Sequence, residues 1–176
     1  MSEEERYVSV DIEASGPIPG DFSLLQIGAC LAYQPQLGFE TLIRPLNDNM
    51  NEWVRHNQLE LFNRCRESGE EPAVAMERFA DWLKRTVKGR PIFVGFNASF
   101  DFKFVDWYFH HFLGYNPFGI NAIDIKAYYM GKFATNWGDV VKREIKKRLH
   151  VSTPHTHDAL ADAREQAEIF ITLREV

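Results

Sequence analysis

Cysteine is nearly absent from this chain, with 2 in 176 residues. Cys30 and Cys65 show neither metal-ligand nor redox spacing, which suits a reduced, cytoplasmic setting. Long hydrophobic runs are missing too. None approaches the roughly 18 apolar residues of a membrane span, so no membrane partner is expected. The opening MSEEER is acidic and lacks the apolar stretch of a secretory signal. Without secretion, the sequon Asn97-Ala98-Ser99 carries no meaning. An excess of positive charge is also absent: 20 Lys and Arg stand against 25 Asp and Glu, a formal net charge of -5. That excludes a protein that coats nucleic acid by bulk electrostatics, but not an enzyme that holds one strand end locally. No internal repeat, low-complexity tract or linker divides the chain. The length predicts one domain over residues 1–176, with a single substantial core.

What the sequence does hold is organised around Tyr7 to Gly16, YVSVDIEASG. Val8, Val10 and Ile12 alternate with Ser9, Asp11 and Glu13, the period of two of a strand. Side chains two apart share a face, so Asp11 and Glu13 project side by side from a strand whose other face is apolar. At about 4 Å two like charges repel by roughly 4 kcal/mol at an effective dielectric near 20. A divalent cation would offset that repulsion. Taken alone, the pair reads more simply as an acidic face turned to water than as a cation site, and the rest of the chain decides.

The remaining elements follow in order. Ser23 to Tyr33 reads as a buried strand, Gln34-Pro35-Gln36 as a turn, and Leu37 to Arg44 as a third strand, together an antiparallel meander. Asn51 to Arg66 is weakly helical, with Trp53, Leu59, Leu61 and Phe62 as candidate anchors. Pro72 opens a helix carrying Met76, Phe79, Ala80, Leu83 and Val87, which Gly89 is expected to cap. Pro91 to Phe96 is a short, fully apolar strand. Ser99 is expected to cap an aromatic helix, read as core. Ile120 to Ile125 is a fifth strand. Lys126 to Met130 and Asp139 to Leu149 look helical, and a last helix runs from about Asp158 to Arg174. Strands first, then helix and strand in alternation, predict an α/β or α+β domain.

Four further residues bear chemistry. Asp101 lies in the first turn of the helix that follows an apolar strand, where ligands of open α/β sheets gather; the helix dipole alone would also favour it there. His157 and Asp162 stand five apart in HTHDALADA. That is roughly 140° on a helical wheel, so both can serve one site only if His157 sits on the entering loop or first turn. Asn97, in the strand-to-helix turn, is placed to bond backbone or substrate.

D-x-E on the first strand, N-x-x-x-D opening a mid-chain helix and H-x-A-x-x-D opening the last one resemble the DEDDh group of 3′→5′ exonucleases. That group includes proofreading exonucleases, oligoribonuclease and RNase T. The resemblance spans nearly the whole chain, and LLQIGA, Leu24 to Ala29, is similar to the family's second strand. It implies a ribonuclease-H-like fold: a mixed five-stranded sheet, three strands antiparallel and then two parallel, flanked by helices. It also implies two divalent ions, Mg²⁺ or Mn²⁺. Asp11 would bridge them, Glu13 and Asp162 would complete the ion on the nucleophile's side, and Asp101 would hold the other. His157 would be the general base, and Ala14, Ser15 and Asn97 would meet the terminal nucleotide. This agrees with the chemistry of in-line displacement between paired ions and with a histidine titrating near neutrality. Phe96-Asn97 stands where the family often has His-Asn, and Ala14-Ser15-Gly16 where it has Thr-Thr-Gly or Ser-Thr-Gly. Neither departure removes a ligand or the base. Asp124-Ile125 stands where Asp-Thr is common, and no function is attached to it.

The expected reaction is removal of nucleoside 5′-monophosphates from single-stranded 3′ ends of RNA or DNA, with a leaning to RNA. A homodimer is an admissible assembly. The competing readings are a non-catalytic nucleic-acid-binding or scaffold domain and a metallo-hydrolase built on His155-Thr156-His157-Asp158. The latter fails because Ala159 and Leu160 occupy the places of its next two ligands. One motif stays open. Asp139 to His150 carries Val141, Ile145 and Leu149 as an apolar stripe, with Lys142, Arg143, Lys146, Lys147 and Arg148 beside Glu144. It reads as the solvated face of an amphipathic helix or as a phosphate track towards the metals.

Overall fold

A computed structural model describes residues 6–154 and 156–176. The acidic start of the chain up to residue 5, and His155, lie outside the described residues. The sheet contains β1 (Tyr7–Ala14), β2 (Leu24–Leu31), β3 (Gln34–Leu42), β4 (Ile92–Gly95) and β5 (Ala122–Asp124). Its order is β3-β2-β1-β4-β5. The first three strands pair antiparallel, and β4 and β5 run parallel to β1. This is the predicted mixed sheet. The helices are α1 (Glu52–Asn57), α2 (Leu59–Ser68), α3 (Pro72–Thr86), α4 (Ala98–Leu113), α5 (Ile125–Phe133), α6 (Lys142–Leu149) and α7 (Ala159–Glu175). No described helix is long and apolar enough to cross a membrane.

The period of two in β1 decides which side chain meets which layer. Val8, Val10 and Ile12 join the core under α3 and α4, with Phe79, Phe104 and Phe109. Tyr7 belongs to the opposite cluster, with Val94, Ala163, Ala167 and Phe170. Asp11 therefore points to the side of the sheet that α7 covers. That helix lies so close to β2 that a Cβ on Gly28 would sit 2.0 Å from the carbonyl carbon of Ala159. Gly28 is what lets the helix descend onto the sheet.

Several boundaries move, each for a local reason. The β2–β3 turn falls at Ala32-Tyr33, so Pro35 lies within β3. Proline is tolerated there because β3 is an edge strand. Trp53 and Leu59 do not anchor their helices, being 52% and 43% exposed, whereas Phe62 is buried. Gly89 does not cap α3. The amide of Val87 closes that helix on Leu83, and Gly89, at φ +101, serves the turn beyond. Ser99 is not the cap of α4. Asn97 takes that position at φ 62, ψ 46 without a side-chain bond, and Asp124 at the end of β5 accepts from Ala98 N at 2.7 Å instead. Ile120 is exposed, and β5 begins only at Ala122. The helix expected from Asp139 is a short 3₁₀ turn, Trp137–Asp139, and then α6. The β-branched pair Val140-Val141 separates them, both outside helical backbone and Val141 extended. The apolar stripe shifts accordingly: Val140 is buried and Val141 exposed.

Candidate active site

The first carboxylates, Asp11 and Glu13, stand at the end of β1. There β2 pairs with its full length, while β4 pairs only with Tyr7 to Ser9. The sheet thus opens beside Asp11, and the first turns of α4 and α7 fill the opening. Asp101 comes from α4 and is tied to the strand, its Oδ1 accepting from Ile12 N at 3.1 Å. Asp162 comes from the first turn of α7 and is fully buried. Its oxygens accept from Thr156 N at 2.8 Å and His157 N at 2.9 Å. Asp162 therefore folds the loop that presents His157, whose backbone takes a left-handed turn at φ 57. Histidine reaches that region less readily than glycine, and the two bonds to one carboxylate hold it there. Ligand-capable atoms of Glu13, His157 and Asp162 lie within 4.8 Å of one another.

Asp11, Glu13, Asp101, His157 and Asn97 line one cleft of about 520 Å³, with Lys142 on its far wall. Asp162 sits beneath it. Ala14 and Ser15 are buried and do not line it. The polar groups of Ser15 are used inside the fold: its N–H donates to Ser23 O, its Oγ accepts from Ser23 N, and its carbonyl accepts from Asn51 N. Trp53 on α1 borders the opening, its ring centroid 6.2 Å from that of His157.

Burial dominates the electrostatics. It raises the Asp101 carboxyl to about 8, against bonds from Ile12 N and its own backbone that favour ionisation. Asp11 is pushed well above its ordinary range, by burial first and then by Asp101, Glu13 and Asp162; Lys142 opposes the shift. Glu13 rises as well, through burial, although Gln58 and His157 pull the other way. The first-turn dipoles behind Asp101 and Asp162 favour negative charge, yet at Asp101 they do not overcome desolvation. These are hard oxygen donors that carry charge only at a penalty without a cation, and they fit Mg²⁺ or Mn²⁺ better than zinc. Thiol chemistry is excluded: burial pushes Cys30 to about 12 and Cys65 to about 11.

Three residues of this region, Gln166, Gln58 and Asp124, are given no role by the sequence. Gln166 donates to Asp11 Oδ1 and accepts from Phe96 N at 2.9 Å, joining α7 to β1 and to the end of β4. Its signal was available, because it follows Asp162 by four on one helix face. Gln58 donates to Glu13 Oε2 from between α1 and α2, and nothing local marks it. Asp124 holds the starts of both α4 and α5. Lys142 belongs to the basic stretch read above.

Comparison with known proteins agrees with this geometry. Residues 8–170 match the model of the exonuclease family typified by RNase T. A 3′-5′ DNA exonuclease of Escherichia coli, Cap18, is 42% identical over 171 residues, covering 96% of this chain and 91% of the relative. The nuclease domain of 3′hExo, a DEDDh family member solved with rAMP, superposes with a TM-score of 0.78 at 14% identity, over 97% of this chain and 92% of that one. Pop2p of S. pombe, solved with Mg²⁺ and Mn²⁺, does so at 0.68 and 20% identity, over 98% and 84%. The last two establish the fold, which is that of a DEDDh nuclease domain, and the family match and the E. coli relative carry the rest: the chain belongs to the exonuclease family typified by RNase T and is a nuclease.

Proposed function

We propose that residues 1–176 form one 3′→5′ exonuclease domain that shortens single-stranded DNA from its 3′ end and releases nucleoside 5′-monophosphates. The observation that carries this reading is the convergence of Asp11, Glu13, Asp101 and Asp162 with His157 at one opening of the sheet. A non-catalytic binding domain has no use for four carboxylates held against burial and mutual repulsion. The four would hold two divalent ions, Mg²⁺ or Mn²⁺, Asp11 being the ligand common to both. When bound, such a pair supplies charge stabilisation for the attacking and leaving oxygens of an in-line displacement. His157 takes the proton from the attacking water. The water oxygen bonds to phosphorus, the bond to the upstream 3′ oxygen breaks, and that oxygen leaves with the electron pair and takes a proton from solvent water to become a new 3′-hydroxyl. Gln166 and Gln58 orient Asp11 and Glu13, and Asn97 faces the terminal nucleotide. Trp53 offers that nucleotide a stacking surface.

Sequence alone leans to RNA; the relative at 42% identity is named a DNA exonuclease, and we place DNA first on that ground. A cytoplasmic location suits the buried thiols, and a homodimer is compatible with this reading. The test uses 5′-labelled DNA and RNA oligomers of matched sequence, with free or duplexed 3′ ends, in Mg²⁺ or Mn²⁺. Stepwise shortening of single-stranded DNA is expected, lost in EDTA and in Asp11→Ala, and reduced ~10²–10⁴-fold in His157→Ala. Cleavage of a circular single strand, or activity surviving EDTA, overturns the reading. RNA shortened tenfold faster than DNA reverses the order of substrates.

A further inference from the structure

The basic helix α6 is not absorbed by the reading above. Of its cations, Lys142 and Lys146 are not solvated. Their side chains are 23% and 17% exposed, and both bind Glu165 of α7, whose side chain is fully buried, Lys142 at 3.1 Å. Glu165 is held below its ordinary range: burial pushes it up, but the two ammonium groups outweigh that. A buried ion triad of this kind gives little or no net stability over apolar residues of the same volume. What it gives here is position. Lys142, also over the Phe96 ring at 5.0 Å, is fixed on the wall of the catalytic cleft. It lines at the same time a second groove of about 420 Å³, which continues along α6 past Arg143 and Lys147. Both of those are exposed; Arg143 meets its neighbour Glu144 at 3.0 Å, a pair in water that holds it weakly. Beside the junction, Lys126 lines the cleft and lies 4.3 Å from the ring of Trp137, which is 61% exposed.

We propose that this surface is the entry track for the strand. Lys142, positioned by Glu165, takes the first phosphate upstream of the bond to be cut, Arg143 and Lys147 take those that follow, and Trp137 stacks on an upstream base. The proposal rests on the exonuclease reading and adds where the uncut part of the strand lies. Charge argues for it: on a chain of net charge -5, a polyanion is admitted only where cations are concentrated. Four cations line the α6 groove against one carboxylate, Glu165. An ammonium has three donors, so Lys142 can serve Glu165 and a phosphate together. Alternating cations and exposed aromatics are the means by which proteins hold single strands without reading their sequence.

The test compares Arg143→Gln/Lys147→Gln and Trp137→Ala with the wild type and with Lys84→Gln/Arg85→Gln, on α3, as a control surface. Binding of a labelled single-stranded DNA of about twenty nucleotides is followed by fluorescence anisotropy in Ca²⁺ over a salt series. Hydrolysis of the same strand and of a dinucleotide is followed in Mg²⁺. The α6 variant should bind the long strand about tenfold more weakly, with the slope of log K against log salt reduced by about 1.4, near 0.7 for each lost phosphate contact. Its KM should rise at least fivefold more for the long strand than for the dinucleotide, which is too short to reach α6. Trp137→Ala should weaken binding of the long strand without changing the salt slope. An unchanged slope and affinity in the α6 variant overturns the track, as does an equal rise in KM on both substrates. Should the wild type degrade neither substrate, the exonuclease reading falls, while anisotropy still decides whether α6 binds the strand.

Discussion

Replacing Asp101 by Asn should make the metal-free protein more stable. Asp101 is 4% exposed, and its carboxyl titrates near 8 when folded against an ordinary 3.8. A folded-state value above the unfolded one gives a contribution that is fully present below the unfolded value and is lost as pH rises through the folded one. Each pH unit in that window costs about 1.4 kcal/mol. From pH 4 to pH 8 this single group therefore withdraws on the order of 5 kcal/mol from the metal-free protein. An amide cannot ionise, and its carbonyl can still accept from Ile12 N as Asp101 Oδ1 does. Allowing for relaxation of the site, Asp101→Asn should gain about 3 kcal/mol near pH 7.5 in EDTA. For a chain of this length that is a rise of roughly 10 °C in Tm. Thermal unfolding is measured for both proteins from pH 5 to pH 8, in EDTA and in Mn²⁺. Wild-type Tm should fall with pH in EDTA and recover in Mn²⁺, while the variant, in which Asp11 and Glu13 are still raised by burial, falls less steeply and gains less from the metal. A wild-type Tm flat over that range, together with an unimproved variant, would refute the claim that burial and repulsion strain this site.

Two further substitutions probe how the site is held. Gln166→Leu removes the bond to Asp11 and leaves Phe96 N without its acceptor; about 1–3 kcal/mol of stability should go with that buried amide, and kcat should fall more than KM rises. An unchanged kcat would make Gln166 structural only. Gly28→Ala places a methyl against the backbone of α7 at Ala159 and Leu160; because backbone cannot step aside as a side chain can, the helix start must move. Activity should fall at least tenfold even where circular dichroism shows the fold intact, and full activity would show that α7 tolerates displacement.

Side-chain alternation was enough to find β1 and its two carboxylates, since every other residue from Val8 to Glu13 changes polarity. His157 and Asp162 were legible for a related reason, as an angle on a helical wheel forces the histidine into the loop where it stands. Less visible were partners joined across the fold. Asp124 caps a helix that begins 26 residues earlier, and Gln58 reaches Glu13 over 45. No local pattern encodes such pairs, because nothing near either residue depends on the other until the chain closes. In the stripe of α6, Ile145 and Leu149 are buried as expected, but Val140 takes the buried place expected of Val141, for a different reason. Two adjacent valines fit a helical period on paper, but their branched Cβ atoms favour extended backbone.

The bond between Gln166 and Asp11 joins positions 155 apart in the chain. The first strand and the last helix must therefore both be docked before the cluster is complete. A chain whose final helix has not yet been synthesised can pair its sheet and bring Asp11, Glu13 and Asp101 together, yet it lacks Asp162, the loop that Asp162 folds, and the orientation of His157. On the function proposed above, a chain without α7 in place would have no complete site with which to cut nucleic acid.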